Sequence, residues 1–105
     1  MGVNSCLGGG VILYCLGKVQ IGDRVSISQH SHLCAGTHDY TNKDMPLLRL
    51  PITIEDDVWL AADSFVGPNV TVGQGAILGA RGVAMKNLDS HTIYAGNPAV
   101  ILKRR

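Results

Sequence analysis

Aliphatic residues recur every six positions through most of this chain, and small or β-branched residues precede them by two positions. Nine six-residue words follow this pattern, and they begin at Cys15, Ile21, Ile27, Leu33, Ile54, Leu60, Val66, Val72 and Leu78. Strand alternation places the first and fifth letters of a word inward and the sixth outward. The third and fourth letters carry turn residues, such as Asp56-Asp57 and Pro68-Asn69. A short fixed period of this kind predicts a β-solenoid, in which each word forms one short strand and one turn.

The period is interrupted once, directly after His38. Residues 39–47 are polar, contain Pro46 and have no aliphatic period, whereas Leu48 and Ile52 fit a degenerate word over 48–53. The interval from Ile21 to Ile54 is not a multiple of six, so residues have been inserted between intact words. An insertion of this kind must leave the coil, and such loops cluster on binding faces. We expect an extruded loop over about 39–51.

Several outward-facing sixth letters are apolar. Three words should complete one coil, so Trp59 is expected to stack on Ile77 and Phe65 on Val83. Exposed apolar columns on a small protein mark a partner subunit or a ligand. The pattern therefore predicts a homo-oligomer.

Length and composition narrow the setting. The 105 residues fit a single domain over 1–105, and the tail after residue 83 loses the period and ends in a basic tip. Nine basic against eight acidic residues argue against nucleic-acid or membrane-surface partners. The three cysteines form no CxxC pair, which favours free thiols. No apolar run reaches the length of a membrane span, and the N-terminus lacks a secretion signal. We expect a cytoplasmic protein.

Three stretches together resemble the hexapeptide-repeat acyltransferases, in particular those of the colanic-acid-biosynthesis type, with galactoside and maltose acetyltransferases as relatives. The stretches are VQIGDRVSISQHSHLCAGTHDY (19–40), PITIEDDVWLAADSFVGPNVTVGQGAILGARGV (51–83) and YAGNPAVILKRR (94–105). The resemblance implies an all-β, single-stranded, left-handed parallel β-helix that works as a homotrimer. It also implies acetyl-CoA as the acyl donor and no metal. The handedness rests on the resemblance alone.

By its position in the family pattern, His38 is the catalytic base. A neutral imidazole is basic enough near neutral pH to take the proton of a hydroxyl that attacks a thioester. Position alone fits a surface histidine at a loop edge equally well. Asp39 adjoins His38 and could orient its imidazole, contact the acceptor or cap the loop, and Tyr40 could contact the acceptor or anchor the loop. Trp59 matches a family position whose ring lies near the active site, where it could contact the acceptor or a partner subunit.

The resemblance further implies a coenzyme A site. Ala62 and Ala80 match positions whose main-chain groups meet the pantetheine arm, although small residues are also common in coil turns. Met85 and Lys86 match the Thr-Lys pair of the family's "VTKD" stretch, and methionine replaces one hydroxyl contact there. Lys103 matches a basic position that meets the phosphates, and its alternative role is a solvated surface lysine.

Two other functions fit parts of the sequence. His30, His32, His38 and His91 could supply a zinc site of the γ-carbonic-anhydrase kind, but His30 and His32 have opposite inward–outward parity. The chain also begins almost where the coils do and is short at its N-terminus relative to the family, which favours a non-catalytic trimeric scaffold. The prediction that we carry forward is an acetyltransferase acting on a hydroxyl of a saccharide-like acceptor in cell-surface polysaccharide synthesis.

Overall fold

A computed structural model describes all 105 residues as a parallel β-helix with three flat faces. Its strands are β1 (Cys6–Leu7), β2 (Ile12–Tyr14), β3 (Val19–Ile21), β4 (Ser26–Ile27), β5 (His32–Cys34), β6 (Gly36–His38), β7 (Leu47–Arg49), β8 (Ile52–Ile54), β9 (Trp59–Leu60), β10 (Phe65–Val66), β11 (Thr71–Val72), β12 (Ile77–Leu78), β13 (Val83–Ala84), β14 (Thr92–Ala95) and β15 (Val100–Arg104). No helix in the structure is long and apolar enough to cross a bilayer.

Strands from successive coils stack in parallel to form the faces. Face A contains β1, β4, β9, β12 and β14, face B contains β2, β5, β10 and β13, and face C contains β3, β8 and β11. The chain passes from face C to A to B in every coil, and it turns at the C–A, A–B and B–C edges. Trp59 pairs with Ile77 and Phe65 with Val83, so the predicted columns at a spacing of three words are confirmed.

The inward letters of the words build the core. Leu33, Leu60 and Leu78, all first letters, are fully buried. Burial of a side chain of this size stabilises the fold by about 1.5–3 kcal/mol. The fifth letters include two buried hydroxyls, and the Oγ of Ser31 donates to the main-chain oxygen of Ala61 at 2.9 Å. This bond satisfies a polar group that would otherwise destabilise the interior.

The corners of the coil also repeat with the six-residue period. In seven words the fourth residue has a left-handed φ between 52° and 74°, and these residues are Arg24, His30, Asp57, Asp63, Asn69, Gly75 and Arg81. Glycine adopts this conformation without strain, and Asn and Asp tolerate it. A left-handed residue at a fixed place in each word turns the chain by the same amount each time, which produces flat faces of equal width.

The word predicted at Cys15 is wrong. Cys15 is exposed at an edge, and the inward residue of this coil is Leu13, which pairs with Leu33. Cys6 pairs with Ser26, so the first coil is longer than three words by two positions. This addition shifts the six-residue frame at the N-terminal end.

The insertion is a β-hairpin, which we call the hairpin arm (residues 36–49). β6 pairs antiparallel with β7, from Gly36 with Arg49 to His38 with Leu47, so the chain leaves the coil earlier than expected, at Gly36 instead of Asp39. Leu48 lies exposed in the arm, and only Ile52 of the degenerate word over 48–53 enters the core. The arm projects from the B–C edge, between β5 of face B and β8 of face C.

The C-terminal tail forms a strand. β15 pairs antiparallel with β14 and extends face A beyond the last coil. Its residues Val100, Ile101 and Leu102 are all more than half exposed. The side chain of Arg105 donates to the main-chain oxygens of Asp57 and Gly75, which fixes the end of the tail to the C–A edge.

Candidate active site

His38 ends the first strand of the hairpin arm, and its imidazole is exposed. Its Nδ1 lies 2.7 Å from the main-chain oxygen of Met45, on the opposite side of the arm. A carbonyl oxygen only accepts hydrogen bonds, so Nδ1 must carry the ring proton and donate it. In a neutral imidazole the other nitrogen, Nε2, then keeps a free lone pair. His38 is therefore held in the tautomer that a general base requires.

The turn of the arm explains why a carbonyl meets the imidazole. Met45 has a left-handed φ of 46°, and its N–H donates to the main-chain oxygen of Asn42 at 2.9 Å. The side chain of Asn42 accepts from the N–H of Asp44, and Pro46 accepts from the N–H of Asp39 at 2.9 Å. These bonds hold the turn in one conformation, in which the carbonyl of Met45 points at His38.

Asp39 and Tyr40, the two residues after His38, belong to the same turn. The Oδ1 of Asp39 accepts from the N–H of Thr41 at 3.1 Å and from its hydroxyl. Asp39 therefore caps the loop, and the hydrogen-bond partner of the His38 imidazole is the carbonyl of Met45 instead. Tyr40 is 86% exposed in the arm, so its ring is not anchored to the coil.

Trp59 lies on face A, next to the A–B edge. It is 46% exposed, and it stacks between Ser26 of the preceding coil and Ile77 of the following one. Its indole N–H donates to the hydroxyl of Ser28 at 3.0 Å, and Ser28 lies at the A–B edge. The hydrogen bond orients the ring toward that edge.

Ala62 and Ala80 stack in successive coils along the A–B edge. The N–H of Arg81 donates to the main-chain oxygen of Ala62 at 2.9 Å, which links the two turns. The N–H groups of Ala62 and Ala80 themselves make no hydrogen bond within the chain. With methyl side chains beside them, these donors are open to an external acceptor.

Two of the three equivalent donors at the C–A edge are occupied, whereas the N–H of Asp56 makes no hydrogen bond within the chain. The N–H of Asp23 donates to the carboxylate of Asp56 at 2.7 Å, and the N–H of Gln74 donates to the carboxylate of Glu55 at 2.9 Å. The N–H groups compared here all belong to the third residue of a word. The difference between the two edges therefore depends on the neighbouring side chains and not on the backbone path. Along the A–B edge the successive donors of Ala62 and Ala80 are both free, whereas the C–A edge keeps one free donor, at Asp56.

Met85 and Lys86 lie at the B–C edge of the last coil, beside a groove of about 310 Å³. The other walls of the groove include Leu88, Tyr94 and Val100. The groove is largely apolar, and the amine of Lys86 forms no ion pair within the chain. An apolar groove with one free cation at its rim fits an elongated ligand that carries a negative charge.

Lys103 lies on β15, where it pairs with Ile93 and is exposed. It therefore belongs to the extension of face A, and not to the B–C edge that carries Lys86. The structure places the two predicted phosphate contacts on different parts of the coil.

Apart from Lys103, the sequence-predicted site residues fall into two groups along two edges. His38 and Lys86 share the B–C edge, two coils apart, which corresponds to about 10 Å along the coil axis. Ala62 and Ala80 lie along the A–B edge, with Trp59 beside them on face A. Face B separates the two groups, so one chain does not bring them together.

Two groups that contribute to the site, the carbonyl of Met45 and the side chain of Tyr94, were not predicted from the sequence. The carbonyl of Met45 is a main-chain group, and the only sequence signal for it is the turn composition around Asn42 and Pro46. Tyr94 lines the groove from the last coil strand of face A, and its hydroxyl accepts from the N–H of Asp89 at 2.9 Å. No motif gave Tyr94 a role, because it lies in the tail, after the last regular word.

The histidines are dispersed. His30 lies at the A–B edge, His32 faces outward from face B and His91 lies at the C–A edge. No three side chains of the metal-binding types His, Cys, Asp or Glu come together in the structure. A hydratase of the γ-carbonic-anhydrase kind has no complete ligand set within one chain.

Comparison with known proteins agrees with the sequence resemblance. No model of a protein family matches the chain. Over its full length the chain is 41% identical to the putative colanic acid biosynthesis acetyltransferase WcaF of Escherichia coli, and it covers 58% of that protein. The chain thus spans less than two thirds of the length of this relative.

Solved structures match the coil closely. An N-acyltransferase from Bacillus cereus, in complex with dTDP and 3-hydroxybutyryl-CoA, superposes with a TM-score of 0.87 at 25% identity over 96% of this chain and 60% of its own. A hexapeptide-repeat acetyltransferase from Vibrio cholerae, in complex with acetyl-coenzyme A, superposes with a TM-score of 0.76 at 23% identity over 99% and 69%. The coil winds left-handed, as theirs do, so the predicted fold class is confirmed. In its repeated words, its coil and these comparisons, the chain is similar to the hexapeptide-repeat acyltransferases.

Proposed function

We propose that the chain is an acetyltransferase, or the catalytic part of one, that moves an acetyl group from acetyl-CoA to a hydroxyl of a saccharide-like acceptor. The observation that carries the proposal is the hydrogen bond between Nδ1 of His38 and the carbonyl of Met45. In the neutral imidazole this bond assigns the free lone pair to Nε2, which lies on an exposed arm. The names of the relatives and the ligands of the structural neighbours supply the donor and the class of acceptor.

His38 would act as the general base. Its Nε2 takes the proton of the acceptor hydroxyl while the oxygen attacks the thioester carbonyl carbon and forms a tetrahedral intermediate. When the carbon–sulfur bond breaks, the imidazolium returns this proton to the departing thiolate, so free coenzyme A leaves as a thiol and His38 is neutral again. Assistance of this kind is worth roughly 10²–10⁴ in rate.

The free donors at the A–B edge suit the coenzyme. The N–H groups of Ala62 and Ala80 can bond the amide oxygens of the pantetheine arm, because no group of the chain occupies them. Main-chain donors of this edge also fit the oxyanion of the tetrahedral intermediate, and loss of one such donor costs roughly 10²–10³ in turnover in other enzymes. Lys86 and Lys103 are proposed to meet the phosphates, with Met85 against the arm of the coenzyme.

The acceptor would bind between the tip of the arm and face A. Tyr40 and Trp59 present exposed rings, which suit the apolar side of a sugar, and the carboxylate of Asp39 has one oxygen left to accept from a hydroxyl. The relative from Escherichia coli is named for colanic acid biosynthesis, which supports a role in the synthesis of a cell-surface polysaccharide. Three free thiols support a cytoplasmic location.

A homotrimer is part of the proposal. The exposed apolar side chains of the arm and of face A need a partner surface. One chain separates the two groups of site residues, so a second chain is needed to complete the site.

A thiol-release assay tests the proposed function. The protein is incubated with acetyl-CoA and a panel of sugars, and calorimetry measures the binding of acetyl-CoA in parallel. The proposal predicts binding of acetyl-CoA and acceptor-dependent release of free thiol. Absence of both would favour the non-catalytic scaffold, and binding without transfer to any hydroxyl would contradict the proposed reaction.

A further inference from the structure

A second groove lies where face C meets the C–A edge. Its volume is about 410 Å³, within the range of small-molecule sites. Its walls include one apolar residue, Ile54, whose side chain is buried in the core, so the surface open to a ligand is polar. None of the residues assigned to acetyl transfer lines this groove. The groove is therefore distinct from the site described above.

Uncharged polar side chains form the wall on face C. Gln20 and Thr53 are paired residues of the neighbouring strands β3 and β8, and both line the groove. Neither side chain makes a hydrogen bond within the chain. The amide of Gln20 both donates and accepts, and so does the hydroxyl of Thr53. Neighbouring strands are about 4.8 Å apart, so a single small ligand can meet both groups.

Two carboxylates form the opposite wall, along the C–A edge. The carboxylate of Asp56 accepts from the N–H of Asp23 at 2.7 Å, and that of Glu55 accepts from the N–H of Gln74 at 2.9 Å. Each bond engages one oxygen and orients the group, and the second oxygen stays free to accept. Gly22 makes room for this arrangement, because a side chain there would collide with the carboxylate of Asp56.

The hydrogen-bonding groups and the charge of the groove restrict its ligand. The free N–H of Asp56 adds a main-chain donor beside the carboxylates. Neither Glu55 nor Asp56 has an ion-pair partner, because the one ion pair of the structure joins Arg24 to Asp57. The uncompensated negative charge disfavours an anion, and the polar walls disfavour an apolar ligand. Hydroxyl groups suit the groove, because each hydroxyl can donate to a carboxylate and accept from an N–H.

We propose that this groove binds a neutral saccharide, at a site separate from the site of acetyl transfer. Two hydroxyls of a sugar ring donate to the free oxygens of Glu55 and Asp56. Further hydroxyls accept from the N–H of Asp56 and bond the side chains of Gln20 and Thr53. This binding goes beyond the proposed function, because it requires neither acetyl-CoA nor a catalytic base.

Binding measurements without acetyl-CoA test the assignment. Calorimetry and saturation-transfer NMR compare neutral oligosaccharides of glucose and of galactose with an oligosaccharide of galacturonic acid. At least one neutral oligosaccharide should bind, and the anionic one should not. A wild type that binds none of the neutral probes, or that binds the anionic probe equally well, would overturn the proposal. Neither outcome depends on whether the chain transfers acetyl groups.

Two threonines of face C provide matched variants. Thr53 and Thr71 are paired on neighbouring strands, but only Thr53 lines the groove. Loss of one hydrogen bond should make Thr53→Val bind the neutral oligosaccharide roughly 2–10-fold more weakly, and addition of Gln20→Leu should extend the loss to roughly 5–100-fold. Thr71→Val should bind like the wild type. Equal affinities of the double variant and Thr71→Val, both folded by circular dichroism, would place the ligand elsewhere and contradict the proposal.

A second pair of substitutions tests the role of charge. In Glu55→Gln combined with Asp56→Asn, the amide oxygens can still accept from the N–H groups of Gln74 and Asp23, so the corner is preserved. The galacturonic acid oligosaccharide, which the wild type should exclude, should bind this double variant. Continued exclusion would contradict the assignment of selectivity to the carboxylates. Binding of spermidine to the wild type in place of every saccharide would assign the groove to cations and overturn the proposal.

Discussion

His38 and Met45 face each other across the hairpin arm, and Nδ1 of the imidazole donates to the carbonyl oxygen over 2.7 Å. This bond connects the fold to the chemistry. The repeat positions the arm, the turn of the arm positions the carbonyl, and the carbonyl determines which ring nitrogen is free. An imidazole fixed in this way needs no carboxylate to orient it.

The conformation of Met45 should matter more than its side chain. Its φ of 46° is tolerated by glycine and strained for a β-branched residue. We expect Met45→Gly to keep kcat close to the wild-type value and Met45→Val to lower it several-fold, with the KM for acetyl-CoA unchanged in both. Steady-state kinetics of the pair measures this, and a Met45→Val enzyme with wild-type kcat would remove the positioning role of the carbonyl.

Lys86 should contribute to coenzyme affinity. A charge-assisted hydrogen bond to a phosphate is worth about 1.5–3 kcal/mol, so Lys86→Ala should raise the Kd of acetyl-CoA by roughly 10–150-fold. Lys18 lies on the same B–C edge in the first coil, and Lys18→Ala provides the control with an unchanged Kd. Calorimetry compares the two variants, and equal affinities would remove Lys86 from the coenzyme site.

Truncation of a buried first-letter side chain should destabilise the fold, whereas truncation of an outward side chain should not. Leu78 is fully buried, and Leu78→Ala should lower the free energy of unfolding by about 2–5 kcal/mol. Thr71→Ala on the outer surface should change it by less than about 0.5 kcal/mol. Chemical denaturation of both variants checks the prediction, and comparable losses would contradict the inward assignment of first letters.

Asp57 should give stability a weak dependence on pH. The hydrogen bond from the Arg24 guanidinium at 2.7 Å, together with its positive charge, holds the pKa of the Asp57 carboxyl below its usual range, and the same pair raises the pKa of Arg24. A lowered folded pKa means that the contribution is complete above the unfolded pKa, about 4, and is lost as the pH falls through the folded pKa.

Asp57→Asn isolates this effect, because asparagine tolerates the left-handed φ of 62°. The variant should melt slightly below the wild type at pH 7, and the two melting temperatures should converge in acid. Arg24 is exposed and Asp57 is partly exposed, so salt at a concentration of about 1 M should reduce the difference. A difference that grows as the pH falls would contradict the sign of the linkage.

Transfer should not depend on a metal ion. Because no ligand set forms within one chain, treatment with a chelator should leave the turnover of acetyl-CoA unchanged. Loss of activity that stoichiometric zinc restores would instead favour the γ-carbonic-anhydrase alternative, with ligands shared between chains.

Much of the fold could be read from the six-residue period, because a residue such as Leu60 has the same environment as Leu78 one coil later. The same period gave a wrong prediction at Cys15, because two extra residues in the first coil shift the six-residue register without changing the composition. The paired strands of the arm were also missed. The antiparallel pairing of Thr37 with Leu48 depends on two segments meeting in space, which a local pattern does not encode.

The site was predictable only in part. His38 directly precedes the interruption of the repeat, but its role as the base, like the coenzyme contacts of Ala62 and Ala80, was predicted from the family resemblance. The N–H groups of Ala62 and Ala80 are free because the neighbouring coil offers them no acceptor. The role of Met45 depends on its main-chain oxygen and not on its side chain. No residue type or motif in the sequence indicates either property.

The most direct measurement is the turnover of His38→Asn with acetyl-CoA and an accepted sugar. The asparagine amide can still donate to the carbonyl of Met45, so the arm is preserved while the base at Nε2 is removed. We expect a fall in kcat of roughly 10²–10⁴ with an intact trimer and unchanged binding of acetyl-CoA, while His91→Asn at the C–A edge remains fully active. A His38→Asn enzyme that turns over at the wild-type rate would contradict it.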